Sequence, residues 1–365
     1  MKIPLVDLKA NYLSIKSEID TAIQSVIDRT AFVGGPELKS FENNWAEKCN
    51  AKYCAGLANG TSSLEVILRA LNIGLGDEVI CPSHTFAATA EAILMVGAKP
   101  IFAEALDNTA LIDPGSVAKL INENTKAVII VDLYGQPADY YAIKKIVEDK
   151  NITVIQDAAQ SHLGKYKGRT VGSYADVTSF SFYPGKNLGA FGDAGAIVTN
   201  NEELFKVMKM ISDHGRTSKY EHQIPGGNLR MDNLQAAILD VKQKYLPDWT
   251  VARRNAIKKY RERLSDYVRF IEEDKDNEAV YHLAVIRTEK RDELLKFLND
   301  NGVGAGIHYP IPLHLQPVFE YLGYKKGDFP ITEKIASEII SLPMFPEITD
   351  EQINYICEKV IAFFK

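Results

Sequence analysis

Ser179-Phe180-Ser181-Phe182-Tyr183-Pro184-Gly185-Lys186-Asn187-Leu188-Gly189 reads as an apolar strand running into a Pro-Gly turn that presents a lysine. Such a lysine is partly withdrawn from water. Desolvation lowers its pKa, and the neutral amine can attack a carbonyl. Asp157 follows the apolar run Thr153 to Ile155 directly. A carboxylate at the end of a buried strand requires a cation, and a protonated pyridine nitrogen is one. Asn59-Gly60-Thr61-Ser62-Ser63 opens an apolar helix. Free first-turn amides beside small hydroxyls make an anion site, and phosphate uses several donors at once. Phe86, in Pro82-Ser83-His84-Thr85-Phe86, also follows a strand and could stack on a planar ligand. Each residue alone has an ordinary reading: a solvated lysine, a turn-capping aspartate, an N-cap, a core aromatic. Together they describe one ligand that is planar and carbonyl-bearing, with a basic ring nitrogen and a phosphate. Pyridoxal 5'-phosphate has all four features.

These residues need a scaffold that gathers strand ends. Ile15, Ile19, Ala22, Ile23, Val26 and Ile27 recur at helical spacing, and Pro36 suits the first turn of a second helix. Strands are predicted at Glu78 to Cys81, Pro100 to Phe102, Ala127 to Val131, Thr153 to Ile155, Val177 to Phe182 and Ala196 to Thr199. Helices are predicted from Asn59 through Leu71, near Ala87 to Met95, and over Tyr140 to Val147. This alternation implies an α/β fold with a mostly parallel sheet, whose ligands sit outside the carboxyl ends of the strands. Asn233 to Leu264 reads as one long helical stretch interrupted at Pro247. Ala279 to Ile286 reads as a strand, Asp292 to Phe297 as a helix, and Ile331 to Phe364 as mostly helix broken by Pro343 and Pro346. We expect a large domain over residues 1–245 and a smaller one over residues 246–365.

Composition excludes several classes. Hydrophobic residues make up 46% and charged residues 25%, the balance of a globular chain rather than a disordered or collagen-like one. The net charge of -6, with no basic run, argues against nucleic acid as a partner. Cys49, Cys54, Cys81 and Cys357 have no C-x-x-C spacing and read as packing thiols of a reducing compartment. No His, Cys and carboxylate cluster has metal-site spacing. The first residues lack a signal-peptide core, and the longest apolar runs fall short of a membrane span. A cytoplasmic location is the default expectation.

The motifs in order resemble the DegT/StrS family of sugar aminotransferases over nearly the whole chain. The resemblance rests on Ile3-Pro4-Leu5-Val6-Asp7-Leu8, Asn59-Gly60-Thr61, Asp157-Ala158-Ala159-Gln160 and the Lys186 run. It continues through His214-Gly215-Arg216, Gly226-Gly227-Asn228-Leu229-Arg230-Met231 and His308-Tyr309-Pro310-Ile311-Pro312-Leu313-His314. It implies the type I aminotransferase fold. It also implies that Lys186 holds pyridoxal phosphate and shuttles protons, Asp157 pairs with the ring nitrogen and Gln160 bonds the ring hydroxyl. By the same resemblance Gly60, Thr61, Ser62 and Ser181 surround the phosphate and Phe86 stacks on the ring. Asn228 would reach the phosphate of a neighbouring subunit, making the active unit a homodimer. Arg230, His308, Tyr309 and His314 would meet the pyrophosphate of a nucleotide sugar, and Tyr183 the hexose.

The run Tyr183 to Ala190 looks like the branch that aminates C3 of dTDP-linked 3-keto-6-deoxyhexoses, with L-glutamate as amino donor. An enzyme acting at C4, or on a UDP or GDP sugar, is the alternative. A non-catalytic regulator on the same fold is the alternative of another class. His84, His162, His222 and His282 are expected to be structural, with His84 and His162, which flank Phe86 and Gln160, the two exceptions to test.

Overall fold

A computed structural model describes all 365 residues. Its centre is a seven-stranded sheet. We label the strands β1 (Tyr53–Leu57), β2 (Glu78–Pro82), β3 (Lys99–Ala103), β4 (Thr125–Val131), β5 (Thr153–Asp157), β6 (Val177–Ser181) and β7 (Gly195–Thr199). Their spatial order is β1-β7-β6-β5-β4-β2-β3. Only β7 runs against the rest: its pairings with β1 and β6 are antiparallel, and the others are parallel. The Ala127-Val128-Ile129-Ile130-Val131 run of β4 is buried throughout, as expected for a parallel strand covered on both faces.

Register gathers the site. Val131 at the end of β4 lies opposite Asp157, and Asp157 lies opposite Ser179 of β6. Gly195 pairs with both Ser181 and Leu57, which brings the end of β6 beside the end of β1. The chain leaves β1 into the Gly60–Ala70 helix and leaves β6 into the Lys186 turn. Two separate segments of the chemistry therefore meet at one edge of the sheet.

Beyond this sheet lie the Leu246–Leu264 helix, a three-stranded sheet and the Asp350–Phe364 helix. The three strands are β8 (Arg269–Phe270), β9 (Ala284–Arg287) and β10 (Ile339–Leu342), in the order given. Apolar burial falls into two clusters. One of 74 residues surrounds the large sheet, and one of 19 includes Tyr260, Leu264, Ile286, Leu294, Ile340 and Val360. Ile3 belongs to the smaller cluster, so the chain's first residues pack on its last hundred. No helix is long and apolar enough to cross a membrane.

Most predicted elements are present within a residue or two, and the differences have local causes. The strand β1 was not expected, because Tyr-Cys-Ala-Gly-Leu carries no β-branched residue. Asp157 is the last residue of its strand rather than the first beyond it. The long helix breaks at Gln243 to Tyr245, and Pro247 sits in the first turn of the next helix, where its missing N–H costs nothing. Ala279 to Leu283 is irregular, with the strand confined to Ala284–Arg287. Ile339–Leu342 is a strand, not helix, paired with β9 along its whole length.

Candidate active site

The sheet edge opens into a cavity of about 900 Å³. Asp157, Gln160, Ser181 and Lys186 line it from the large sheet, with Gly60, Thr61 and Ser62 on one side. Phe86, Tyr183, His308 and Tyr309 form other parts of its wall. The structure thus brings together eleven of the fourteen residues named from sequence.

The helix start at one side is built for an anion. Asn59 is the N-cap, and its side chain accepts from the Ser62 amide at 2.8 Å. The Asn59 carbonyl accepts from Ser63 N. The Gly60 and Thr61 amides, which have no intrahelical partner, are left at the cavity with the Thr61, Ser62 and Ser181 hydroxyls. Close approach here requires glycine. A Cβ at Gly60 would lie 2.7 Å from Ser181 Cβ, and one at Gly195 would lie 2.4 Å from the Asn59 carbonyl.

Asp157 and Lys186 oppose each other electrostatically. Burial lowers the Lys186 amine to about 8, partly countered by the attraction of Asp157. Burial likewise raises the Asp157 carboxyl above its ordinary range, countered by its hydrogen bonds and by Lys186. Asp157 Oδ2 accepts from Thr89 Oγ1 at 2.9 Å and Oδ1 from the Ala159 amide at 3.2 Å. These bonds fix the carboxylate plane. Gln160 Oε1 accepts from the Tyr134 amide at 2.7 Å, which turns its Nε2 toward the Tyr309 hydroxyl, 3.3 Å away. Phe86 is 54% exposed, with its ring centroid 5.5 Å from that of Tyr309. It is therefore a free face rather than a core residue.

Three residues named from sequence stand elsewhere. His314 is only 1% exposed, and both ring nitrogens are engaged, with Ser83 Oγ at 2.7 Å and Glu333 Oε1 at 3.1 Å. This corrects the expectation that it meets substrate: it ties the chain after Pro312 to the end of β2. Arg230 pairs with Asp213 at 2.6 Å, and Asn228 lies exposed in a neighbouring bridge to Asp213. Neither lines the cavity of its own chain.

Sequence reasoning missed others. Leu5 and Val6 from the chain's start, Thr89 and His282 all line the cavity. His282 Nδ1 meets Asn187 Oδ1 at 3.2 Å, so a histidine expected to be merely structural touches the residue after Lys186. Burial and Lys186 push it well below its ordinary pKa. His84 and His162 are held neutral by burial, at about 4 and about 3. His162 supports the site from behind, with Nε2 2.9 Å from the Ser181 carbonyl.

A buried carboxylate faces a cavity whose only lysine or arginine is Lys186. A glycine-lined helix start stands beside it with hydroxyl donors. This donor set fits a phosphorylated, cationic heterocycle that bears a carbonyl.

Comparison with known proteins agrees. Residues 13–361 match the DegT/DnrJ/EryC1/StrS aminotransferase family. A Geobacillus stearothermophilus protein named pleiotropic regulatory protein is 42% identical, over 100% of this chain and 99% of its own. The dTDP-3-amino-3,6-dideoxy-alpha-D-galactopyranose transaminase of Aneurinibacillus thermoaerophilus is 41% identical over 98% of each chain. DesV of S. venezuelae, solved in complex with a ketimine intermediate, superposes with a TM-score of 0.98 at 37% identity, covering 100% of this chain and 99% of that one. NtdA of Bacillus subtilis, solved with bound PMP, gives a TM-score of 0.91 at 33% identity, covering 100% and 85%. With a family match across most of its length and relatives alike from end to end, this chain belongs to the DegT/DnrJ/EryC1/StrS aminotransferase family.

Proposed function

We propose that this protein is a pyridoxal phosphate-dependent aminotransferase acting on a nucleotide-linked ketosugar. The substrate we assign is a dTDP-3-keto-6-deoxyhexose, converted to the dTDP-3-amino-3,6-dideoxyhexose with L-glutamate as amino donor. The observation that carries this reading is the opposition of Lys186 and Asp157 across one cavity, with an anion site at its side. When bound, pyridoxal phosphate supplies a carbonyl that takes up the amino group and a ring that accepts the electrons released with the proton.

The chain's own residues do the rest. Lys186 Nζ is the group that anchors the cofactor and moves protons, a task suited to an amine near neutral pKa. Asp157 keeps the ring nitrogen protonated, with Thr89 and the Ala159 amide fixing its oxygens. With its oxygen held by the Tyr134 amide and one Nε2 hydrogen directed at Tyr309, Gln160 keeps a second Nε2 hydrogen for the ring hydroxyl. Gly60, Thr61, Ser62 and Ser181 hold the phosphate, and Phe86 covers the ring face. Tyr183, 59% exposed, and the His308 and Tyr309 wall are placed to meet the sugar.

The cavity contains no arginine, so a single chain supplies little charge for a pyrophosphate. We assign the remaining partners to a second copy, through the exposed segment that carries Asn228, with Arg230 beside it. The division near residue 245 is part of this reading: apart from Ile3 the smaller cluster lies wholly beyond residue 255, although the larger one also takes in Trp249, Ile271, Phe319 and Ile335. A cytoplasmic location agrees with four buried, unpaired cysteines. The regulatory name of one relative offers a second reading, a ligand-binding regulator. That reading gives no account of why Lys186 and Asp157 face each other.

A panel of nucleotide ketosugars tests the assignment. The protein, loaded with cofactor and bleached by glutamate, should recover its visible absorbance fastest with the dTDP-3-keto sugar. Faster recovery with a dTDP-, UDP- or GDP-4-keto sugar would move the assignment to C4.

A further inference from the structure

The main chain at Tyr134 is unusual. Tyr134 has φ 62° and ψ 2°, a left-handed conformation that bulky residues rarely adopt. It is 95% buried, and Gly135 follows with φ 103°. A Cβ at Gly135 would lie 2.7 Å from His282 N and 2.9 Å from Tyr281 N. The bend therefore exists where the 280–283 segment crosses it. Val280 N donates to the Gly135 carbonyl at 2.8 Å and Leu283 N to the Tyr134 carbonyl at 3.4 Å. Tyr281 on the crossing segment is itself left-handed, with φ 45°. Strain held in place by surrounding structure at a site points to a constraint that the site needs.

The contacts of Tyr134 indicate what that constraint is. Its amide holds Gln160 Oε1 at 2.7 Å, on the large-sheet side of the cavity. Its hydroxyl donates to the His308 carbonyl at 2.6 Å, in the segment that carries Tyr309. The same hydroxyl accepts from His84 Nε2 at 2.7 Å, a residue two places before Phe86. The single hydroxyl hydrogen goes to the His308 carbonyl, which can only accept, so His84 carries its proton on Nε2 and Nδ1 is left without a partner. One residue thus touches the Gln160 turn, the loop that carries Phe86, and the His308–Tyr309 wall.

We propose that Tyr134 is a positioning residue that sets the His308–Tyr309 wall in register with Gln160 and Phe86. Tyr309 makes the register matter. Its hydroxyl is 3.3 Å from Gln160 Nε2 and its ring is 5.5 Å from that of Phe86, so a shift of the wall moves both cofactor-facing groups. The left-handed backbone lets one residue hold Gln160 with its amide and the His308 carbonyl with its hydroxyl. The functional part of this inference rests on the aminotransferase reading; the structural part does not.

Two measurements separate them. Amide hydrogen exchange on the chain without cofactor reads the wall directly. Tyr134→Phe should raise exchange over residues 305–311 at least tenfold and leave the Thr153–Asp157 strand unchanged. His84→Gln, which removes only the second anchor of the hydroxyl, should raise it about threefold. In the loaded protein, Tyr134→Phe should lower the limiting rate of bleaching by L-glutamate at least tenfold. The half-saturating glutamate concentration should stay within about threefold, because the lesion displaces wall and ring contacts rather than removing a binding group. Unchanged exchange over residues 305–311, or equal loosening throughout the chain, would overturn the inference. So would a rise in half-saturating glutamate with no fall in limiting rate. Wild-type protein that glutamate fails to bleach would instead refute the functional reading, while the exchange comparison still decides the role of Tyr134.

Discussion

Lys186 and Asp157 divide one problem between them: each is costly to bury charged, and each lowers that cost for the other. The balance leaves the Lys186 amine at about 8 instead of its ordinary 10.5. Since the neutral amine is the nucleophile, capture of pyridoxal phosphate by the cofactor-free protein should accelerate as pH rises, with a midpoint near 8. The charge of Asp157 raises the Lys186 pKa, so Asp157→Asn should move that midpoint lower. It should also slow reaction with glutamate about a hundredfold while the cofactor still binds. Stopped-flow absorbance across pH reads both effects. A midpoint near 10, or one that Asp157→Asn leaves in place, would contradict the assigned pairing. These two residues were legible in the sequence because each sits at the end of an apolar run. Thr89 and His282 were not, because their relevance comes only from what the fold sets opposite them. His314 misled for the same reason: its motif is distinctive, but its ring is spent on Ser83 and Glu333.

The element that matters most is the start of the Gly60–Ala70 helix, pressed against the ends of β6 and β7. Alanine is a better helix former than glycine, so Gly60→Ala carries no penalty within the helix itself. Its Cβ would nevertheless meet Ser181 at 2.7 Å and force the helix start away from the Ser181 hydroxyl. We expect Gly60→Ala to weaken pyridoxal phosphate binding at least tenfold, with a thermal midpoint within a few degrees of wild type. Titration with the cofactor, beside a melting curve, tests this; unchanged affinity would remove the phosphate role from this helix. The same scale shows what sequence patterns convey. Apolar runs bounded by Pro, Gly or Asn gave the parallel strands β2 to β6 and the helix starts. The pattern was silent on β1, whose Cys-Ala-Gly core has no strand signature. It mistook β10 for helix, because Ile339, Ile340 and Leu342 form a short apolar run that either element could bury.

At the scale of the molecule, the proposed function calls on a second copy to complete the site. Asn228 and Arg230 lie off the cavity, while the resemblance that gives Lys186 its role also points to Asn228. If Asn228 acts across a dimer, inactive Lys186→Ala and Asn228→Ala chains should complement each other. Each mixed dimer would hold one doubly damaged site and one intact site. Random re-pairing of equal amounts should then restore about a quarter of the wild-type rate. No recovery after verified subunit exchange would place Asn228 outside the partner's site. The central claim is nearer to hand, in the visible spectrum of the purified protein with pyridoxal phosphate, before and after L-glutamate, beside Lys186→Ala. We expect a yellow band that glutamate bleaches in wild type, and an altered band in the variant that glutamate does not bleach at the wild-type rate. A protein that stays colourless after incubation with the cofactor would contradict the catalytic reading and leave the ligand-binding regulator in its place.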